Sequence, residues 1–165
     1  MEQDLIFSEK QKFRQWWLWV ILIGTNIIFL CIVIGQLMVG RLNGSSPETP
    51  VDMILVFFLS VLMTILFFNF RLETQIKNDG IHVRFFPFHL HYKHYSWDDI
   101  LKAEVRTYNP IGEFGGWGLR GAGKDRAFNI SGNQGLQLEF KDHKKLLIGT
   151  RQAEAITKAL EQIQK

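Results

Sequence analysis

Two long runs of this 165-residue chain carry no charge, and they restrict every other structural choice. From Trp16 to Val39 there is no Asp, Glu, Lys, Arg or His, and from Met53 to Phe70 there is none again. As helices the runs extend about 36 Å and about 27 Å, against a bilayer hydrocarbon core of about 30 Å. Buried in a soluble protein, they would leave a large part of a small chain uniformly apolar, with little to cover it. A membrane α-hairpin is expected instead, occupying 16–70, with spans at 16–39 and 53–70 and a loop at 40–52. A second span, and a first run too long for the apolar region of a signal peptide, argue against a cleaved leader.

The flanks give an orientation. Lys10, Lys12 and Arg14 precede Trp16, Trp17 and Trp19, whose rings suit the membrane–water boundary. The loop segment Arg41–Asp52 carries one basic residue, whereas Arg71 and Lys77 follow the second run. The positive-inside rule then predicts a multi-pass protein of the cell membrane with both termini cytoplasmic, and residues 1–15 form a cytoplasmic juxtamembrane segment. Asn43-Gly44-Ser45 in the loop matches a glycosylation sequon, a three-letter match too common to carry weight. Polar residues in the spans should face the helix–helix contact: Asn26, Cys31 and Gly35 on the first, Ser60 and Thr64 on the second. Antiparallel depth pairs Asn26 with Thr64 and Cys31 with Ser60. No ionisable residue lies in either span, and two helices enclose no pore, so a transport path is disfavoured. Cys31 is the only cysteine, which excludes an intrachain disulfide and Cys-based metal or iron–sulfur sites.

After Arg71 the pattern changes to period two. Leu72, Thr74 and Ile76 alternate with polar residues, Asn78-Asp79-Gly80 is a hairpin turn signal, and Ile81, Val83 and Phe85 alternate with His82 and Arg84. Further strand-like segments lie at Tyr92–Trp97, Leu101–Tyr108, Arg126–Ile130, Leu136–Phe140 and Lys145–Ile148. In the fourth of the seven, Leu101, Ala103, Val105 and Thr107 share a face. Ser131-Gly132-Asn133 and Lys141-Asp142-His143 read as turns. The last stretch is helical: Thr150 is the expected N-cap, and Ala153, Ile156, Leu160 and Ile163 fall on one face. About seven antiparallel strands closed by one C-terminal helix suggest a curved sheet or open barrel over 71–165, the helix covering one apolar end.

The strings Asp79-Gly80-Ile81, Tyr95-Ser96-Trp97-Asp98-Asp99-Ile100, Gly115-Gly116-Trp117-Gly118 and Leu147-Ile148-Gly149-Thr150 resemble an uncharacterised family of small bacterial membrane proteins. In that family two transmembrane helices precede a cytoplasmic pleckstrin-homology-like (PH-like) domain. The resemblance spans nearly the whole chain. It implies the fold and the membrane location and implies no activity.

Two phosphate-binding patterns overlap in the Gly-rich stretch. Gly116–Gly121 fits G-x-G-x-x-G, and Gly118–Lys124 fits the first seven positions of G-x-x-x-x-G-K. Asp125 stands where a phosphate loop needs Ser or Thr, and a strand-like segment follows where both motifs need a helix N-terminus. Nucleotide is therefore not expected as a partner. The stretch reads as a bulged or mobile loop, or as a binding loop in which Trp117, Arg120, Lys124 and Arg126 meet lipid headgroups or a partner. His89, His91 and His94 lie close in sequence, and His89 and His91 would share a strand face. They could hold a metal with Asp98, but Phe88, Tyr92 and Tyr95 around them fit an ordinary strand surface, so neither metal nor cofactor is expected. The net charge of +3 is too small and too scattered for nucleic acid. For a PH-like fold a phosphoinositide site normally draws basic residues from the first hairpin, and here that turn is acidic. The expected function is a non-enzymatic interaction module, anchored in the bilayer, that presents its β domain to a protein partner or a second copy. The alternatives are a lipid-headgroup sensor and an enzyme subunit using the Gly-rich loop and histidines.

Overall fold

The computed structural model describes residues 5–42, 51–121 and 123–163. It divides into two compact units, Arg14–Asn69 and Met1–Phe13 with Phe70–Lys165.

The first unit is a pair of helices, α1 (Trp16–Leu42) and α2 (Val51–Asn69). Trp16–Val39 and Val51–Asn69 are both long and apolar enough to cross a membrane. The second helix starts two residues earlier than the expected span and ends at Asn69, so Phe70 belongs to the β unit. The sequon and most of the expected loop fall at 43–50, outside the described residues. No residue of α2 is buried. Val20, Ile28, Leu55 and Phe58 are exposed. The polar residues turn the other way. Asn26 Nδ2 donates to Thr64 Oγ1 at 2.7 Å, and Ser60 Oγ donates to Asn26 Oδ1 at 2.8 Å. The expected Asn26–Thr64 pair is present. Ser60 also goes to Asn26, whose amide has a donor and an acceptor to offer, and Cys31 is exposed instead of pairing with Ser60.

Among its described residues the second unit holds nine strands in two sheets, where about seven antiparallel ones were expected. The strands are β1 (Leu5–Lys12), β2 (Arg71–Lys77), β3 (Gly80–Phe86), β4 (Lys93–Ser96), β5 (Ile100–Thr107), β6 (Gly118–Arg120), β7 (Asp125–Asn129), β8 (Gln134–Phe140) and β9 (Lys145–Thr150). A short helix α3 (Pro110–Phe114) precedes β6, and α4 (Ala153–Ile163) ends the unit. Sheet A has the order β1-β2-β3-β4 and sheet B the order β5-β8-β9-β7-β6. The β7–β9 pair is parallel and every other pair is antiparallel.

The segment read as a juxtamembrane tail thus contributes β1. It pairs with β2 from Leu5↔Lys77 to Lys12↔Arg71. Its inward residues are Phe7, Glu9 and Gln11, so the period of a strand is there but two of its three buried members are polar. They are buried because the far end of the chain satisfies them. Gln11 Nε2 donates to the Gly149 carbonyl at 2.7 Å, Thr150 Oγ1 to Glu9 Oε2 at 2.6 Å, and the Arg151 amide to Glu9 Oε1 at 3.0 Å. Thr150 therefore sits ahead of the last helix and not at its cap: its Oγ1 accepts from the Gln152 amide, and α4 starts at Ala153.

The core lies between the sheets and under α4. Leu72, Ile76, Ile81 and Val83 of sheet A, Leu136, Leu138, Leu146 and Ile148 of sheet B, and Ile156 of α4 have no solvent exposure. Each such side chain contributes roughly 1.5–3 kcal/mol. The expected β5 face is exposed at Leu101 and at Thr107, its last residue. The register skips Leu101 between Ile100↔Phe140 and Lys102↔Glu139, and this bulge turns Leu101 out to solvent.

On the other face of sheet A, Glu73 is covered by cations from three strands. Lys10 Nζ and Arg71 Nε each stand 3.2 Å from its Oε1, Arg84 binds its Oε2, and the Tyr92 hydroxyl donates to Oε2 at 2.7 Å. Burial pushes the Glu73 carboxyl up, but the bonds from Tyr92, Arg84 and Lys10 outweigh it and hold the pKa at about 2.

Candidate functional site

Where the ends of the two sheets meet, aromatic rings touch across the gap and cations collect beside them. Tyr95 of β4 packs on Phe140 of β8 at 5.3 Å, and His89 packs on Phe128 of β7 at 5.3 Å. Beside the Tyr95–Phe140 contact lies a cavity of about 400 Å³, lined by Tyr95, Asp99, Arg126, Phe140, Lys141, Asp142 and Lys144. Strand alternation fixes the direction of Arg126. Ala127 packs outward with Tyr108 and Leu147 under Phe114 of α3, so Arg126 and Phe128 turn to the side that faces β4.

Arg126 is the distinctive group of this cavity. Its Nε is buried with no hydrogen-bond partner among the described residues. A buried unsatisfied donor costs about 1–3 kcal/mol, more when charged, so the site is set up to gain from an acceptor. Lys93 is close enough to feel its charge, and the cavity lining adds Lys141 and Lys144 along with the carboxylates Asp99 and Asp142. Burial and the charge of Arg126 push the Lys93 ammonium down, and burial with the charges of Lys93 and Arg126 does the same to His89. Burial pushes the Tyr95 hydroxyl up while Arg126 pulls it back. Lys141 is exposed at the rim, and Lys144 is neutralised by Asp142 at 2.6 Å. Chemically this is a receptor for an anion with an apolar or planar companion: a guanidinium to bind oxygen, two rings to pack against, and a lysine at the mouth.

The Gly-rich stretch is built differently from the expected binding loop. Trp117 is half-buried and its Nε1 donates to the Gly132 carbonyl at 3.2 Å, while Arg120 Nε donates back to the Trp117 carbonyl at 2.9 Å. Gly121 has φ of 78°, and a Cβ there would run into the Asp125 carbonyl, so that position requires glycine. The four expected residues do not converge. Trp117 and Arg120 are tied to the loop itself, Lys124 is exposed and its carbonyl accepts from the Lys145 amide at 2.7 Å, and only Arg126 reaches the cavity. The stretch follows α3, contains β6 and leads into β7.

The histidines also sort differently. His89 and His91 lie in the irregular segment between β3 and β4, not on a strand face, because the chain turns after Phe86. His89 turns inward on Phe128, while His91 and Asp98 are exposed. The titratable cluster that does form joins His94 to His82 and Asp79, which adjacent strands and the β2–β3 turn bring together. Sequence reasoning missed Tyr95, Phe140 and Lys141 at the cavity and the His82–His94 pairing. The signal for the pairing was present, since the Asn78-Asp79-Gly80 turn fixes the register of β3, but the β4 register depends on the irregular connection that precedes it.

Comparison with protein-family models, with curated proteins and with solved structures returns no match for this chain.

Proposed function

We propose that this chain is a non-enzymatic interaction module of the small bacterial PH-like type. In this reading the α1–α2 hairpin spans the cell membrane, and the β unit holds an acidic segment of a partner protein at the Arg126 cavity. The observation that carries it is Arg126, which lines a cavity walled by Tyr95 and Phe140 and whose Nε is buried with no hydrogen-bond partner among the described residues. The membrane part is supported by the inside-out arrangement of the hairpin, with Asn26, Ser60 and Thr64 bonded inward and apolar residues outward, an arrangement that lipid stabilises and water does not. A common side for the two chain ends is supported by the pairing of β1 with β2, the strands that flank the hairpin. A cytoplasmic side follows from the basic flanks alone.

Tyr95 pairs with Ile81, which pairs with Ile76, and the extended chain from Phe70 to Ile76 covers roughly 20 Å, so within the β unit the cavity lies near the opposite end of sheet A from Phe70. One observation favours a lipid contact elsewhere. Phe88 and Leu90 are exposed in the β3–β4 segment, and Phe88 stacks at 5.5 Å on Phe70, the residue that follows α2. Those two side chains suit an apolar seat on the bilayer. The cations near them, Arg71 and Arg84, are already bound to Glu73, so this seat is no headgroup sensor.

The test is photo-crosslinking from native membranes with a benzophenone amino acid at Tyr95, alone and combined with Arg126→Gln or Lys141→Gln. One protein adduct, reduced about tenfold by Arg126→Gln and lost at high salt, is the expected result. An adduct with lipid only, or one indifferent to Arg126, overturns the proposal. Protonation of His89 adds positive charge beside the cavity. Because its pKa lies below the ordinary 6.5, it is neutral at pH 7, and affinity for an acidic peptide should rise as the pH falls below 6.5.

A further inference from the structure

We infer that Asp79, His82 and His94 form a binding site for a divalent late-transition metal ion, zinc in the first instance. The inference is independent of the Arg126 cavity and of the membrane anchor. It starts from register. His82 of β3 and His94 of β4 are direct cross-strand partners on one face of sheet A. Their rings stack at 4.5 Å with 28° between planes, which points both Nε2 atoms the same way, over the end of the hairpin. Asp79 rises from the turn to meet them. Asp79 Oδ2 lies 3.2 Å from His82 Nε2 and 3.5 Å from His94 Nε2.

These separations match the edges of a coordination tetrahedron. Zinc–nitrogen and zinc–oxygen bonds of about 2.0–2.2 Å place neighbouring ligand atoms about 3.3–3.5 Å apart. One ligand atom from each of the three residues falls within 4.8 Å of the other two. The turn keeps the space open. Gly80 has φ of 149°, and a Cβ there would come within 2.9 Å of His94 Nε2 and would clash with the Tyr95 carbonyl. His82 is half-buried while Asp79 and His94 are exposed, so an ion has a path from solvent and the remaining coordination positions are open to water.

The donor set chooses the metal. Two imidazoles and one carboxylate suit zinc, nickel and copper, whereas calcium and magnesium require mostly oxygen. The Nε2 atoms that now approach Asp79 are themselves the ligand atoms, so an ion would take the place of the contacts they make with its carboxylate. A bound ion would join the β2–β3 turn, β3 and β4 at one point.

The experiment is calorimetric titration of zinc chloride into the full chain in detergent, stripped beforehand with chelator, with copper(II) electron paramagnetic resonance as a second readout. The expected result is one zinc per chain, at least tenfold weaker binding in His82→Ala, His94→Ala and Asp79→Asn, and unchanged binding in His91→Ala. Copper should show coupling to two ring nitrogens, reduced to one in His94→Ala. Circular dichroism of each variant separates lost binding from lost fold. No uptake by the wild-type chain overturns the inference, as does uptake that His91→Ala weakens as much as His82→Ala.

Discussion

The helical hairpin and the β unit solve opposite problems with the same kinds of residue. In the β unit Leu136, Ile148 and Ile156 have no exposure, and charged side chains cover the outside. In the hairpin the large apolar residues are outside and the polar ones are in the seam: Asn26 holds Thr64 and Ser60, while Leu62 is 56 % exposed. The difference teaches that exposure has two meanings in this chain. Leu101 on the β5 bulge is 66 % exposed and faces water, and Leu62 at nearly the same exposure is proposed to face lipid.

That contrast can be broken most directly at leucines. Leu136→Ala should cost roughly 2–5 kcal/mol and unfold the β unit at lower denaturant, read by tryptophan fluorescence. Leu62→Arg should weaken membrane integration by roughly 2.5–3.5 kcal/mol in a glycosylation-based insertion assay, with no matching penalty for Leu101→Arg. Equal effects of the two arginines on insertion would mean that α2 does not face lipid.

A smaller effect sharpens the comparison on the polar side. Glu73→Gln should destabilise the β unit by about 2 kcal/mol, since it removes the charge that gathers Lys10, Arg71, Arg84 and Tyr92. The sign in pH follows from the lowered carboxyl. The Glu73 contribution is complete above its ordinary 4.5 and is lost as the pH falls toward about 2, so the variant should show a flatter acid limb in that window. An acid limb of the same slope in both proteins would show that the network does not depend on the Glu73 charge. The smallest effect is expected in the hairpin: Asn26→Leu should cost about 0.6 kcal/mol, because buried hydrogen bonds between membrane helices are worth little more than those in the unfolded reference. A measurement of helix–helix association by energy transfer would resolve it.

Much of this contrast was legible in the sequence, and the gaps have physical causes. The uncharged runs revealed both helices, and the alternation at Leu72–Ile76 and Ile81–Phe85 revealed β2 and β3 with the turn between them. β1 was not visible because Glu9 and Gln11 occupy its inward positions, and only residues some 140 positions away explain why they can. β6 was hidden by its length of three residues within the Gly-rich stretch. At the site, Arg126 stood out as one cation among three near Trp117. Nothing local says that Arg126 turns inward while Arg120 is tied to the Trp117 carbonyl, since that depends on the β7–β9 register.

The pairing of β1 across the length of the chain also sets an order of events during synthesis. β1 leaves the ribosome well before the groups that bury Glu9 and Gln11, which lie at Gly149–Arg151. At about 5–20 residues per second, the strand waits on the order of ten seconds, through the emergence of both apolar helices, before the β unit can close. During that wait its charged outward residues, Lys10 and Lys12, help keep it from pairing with another chain.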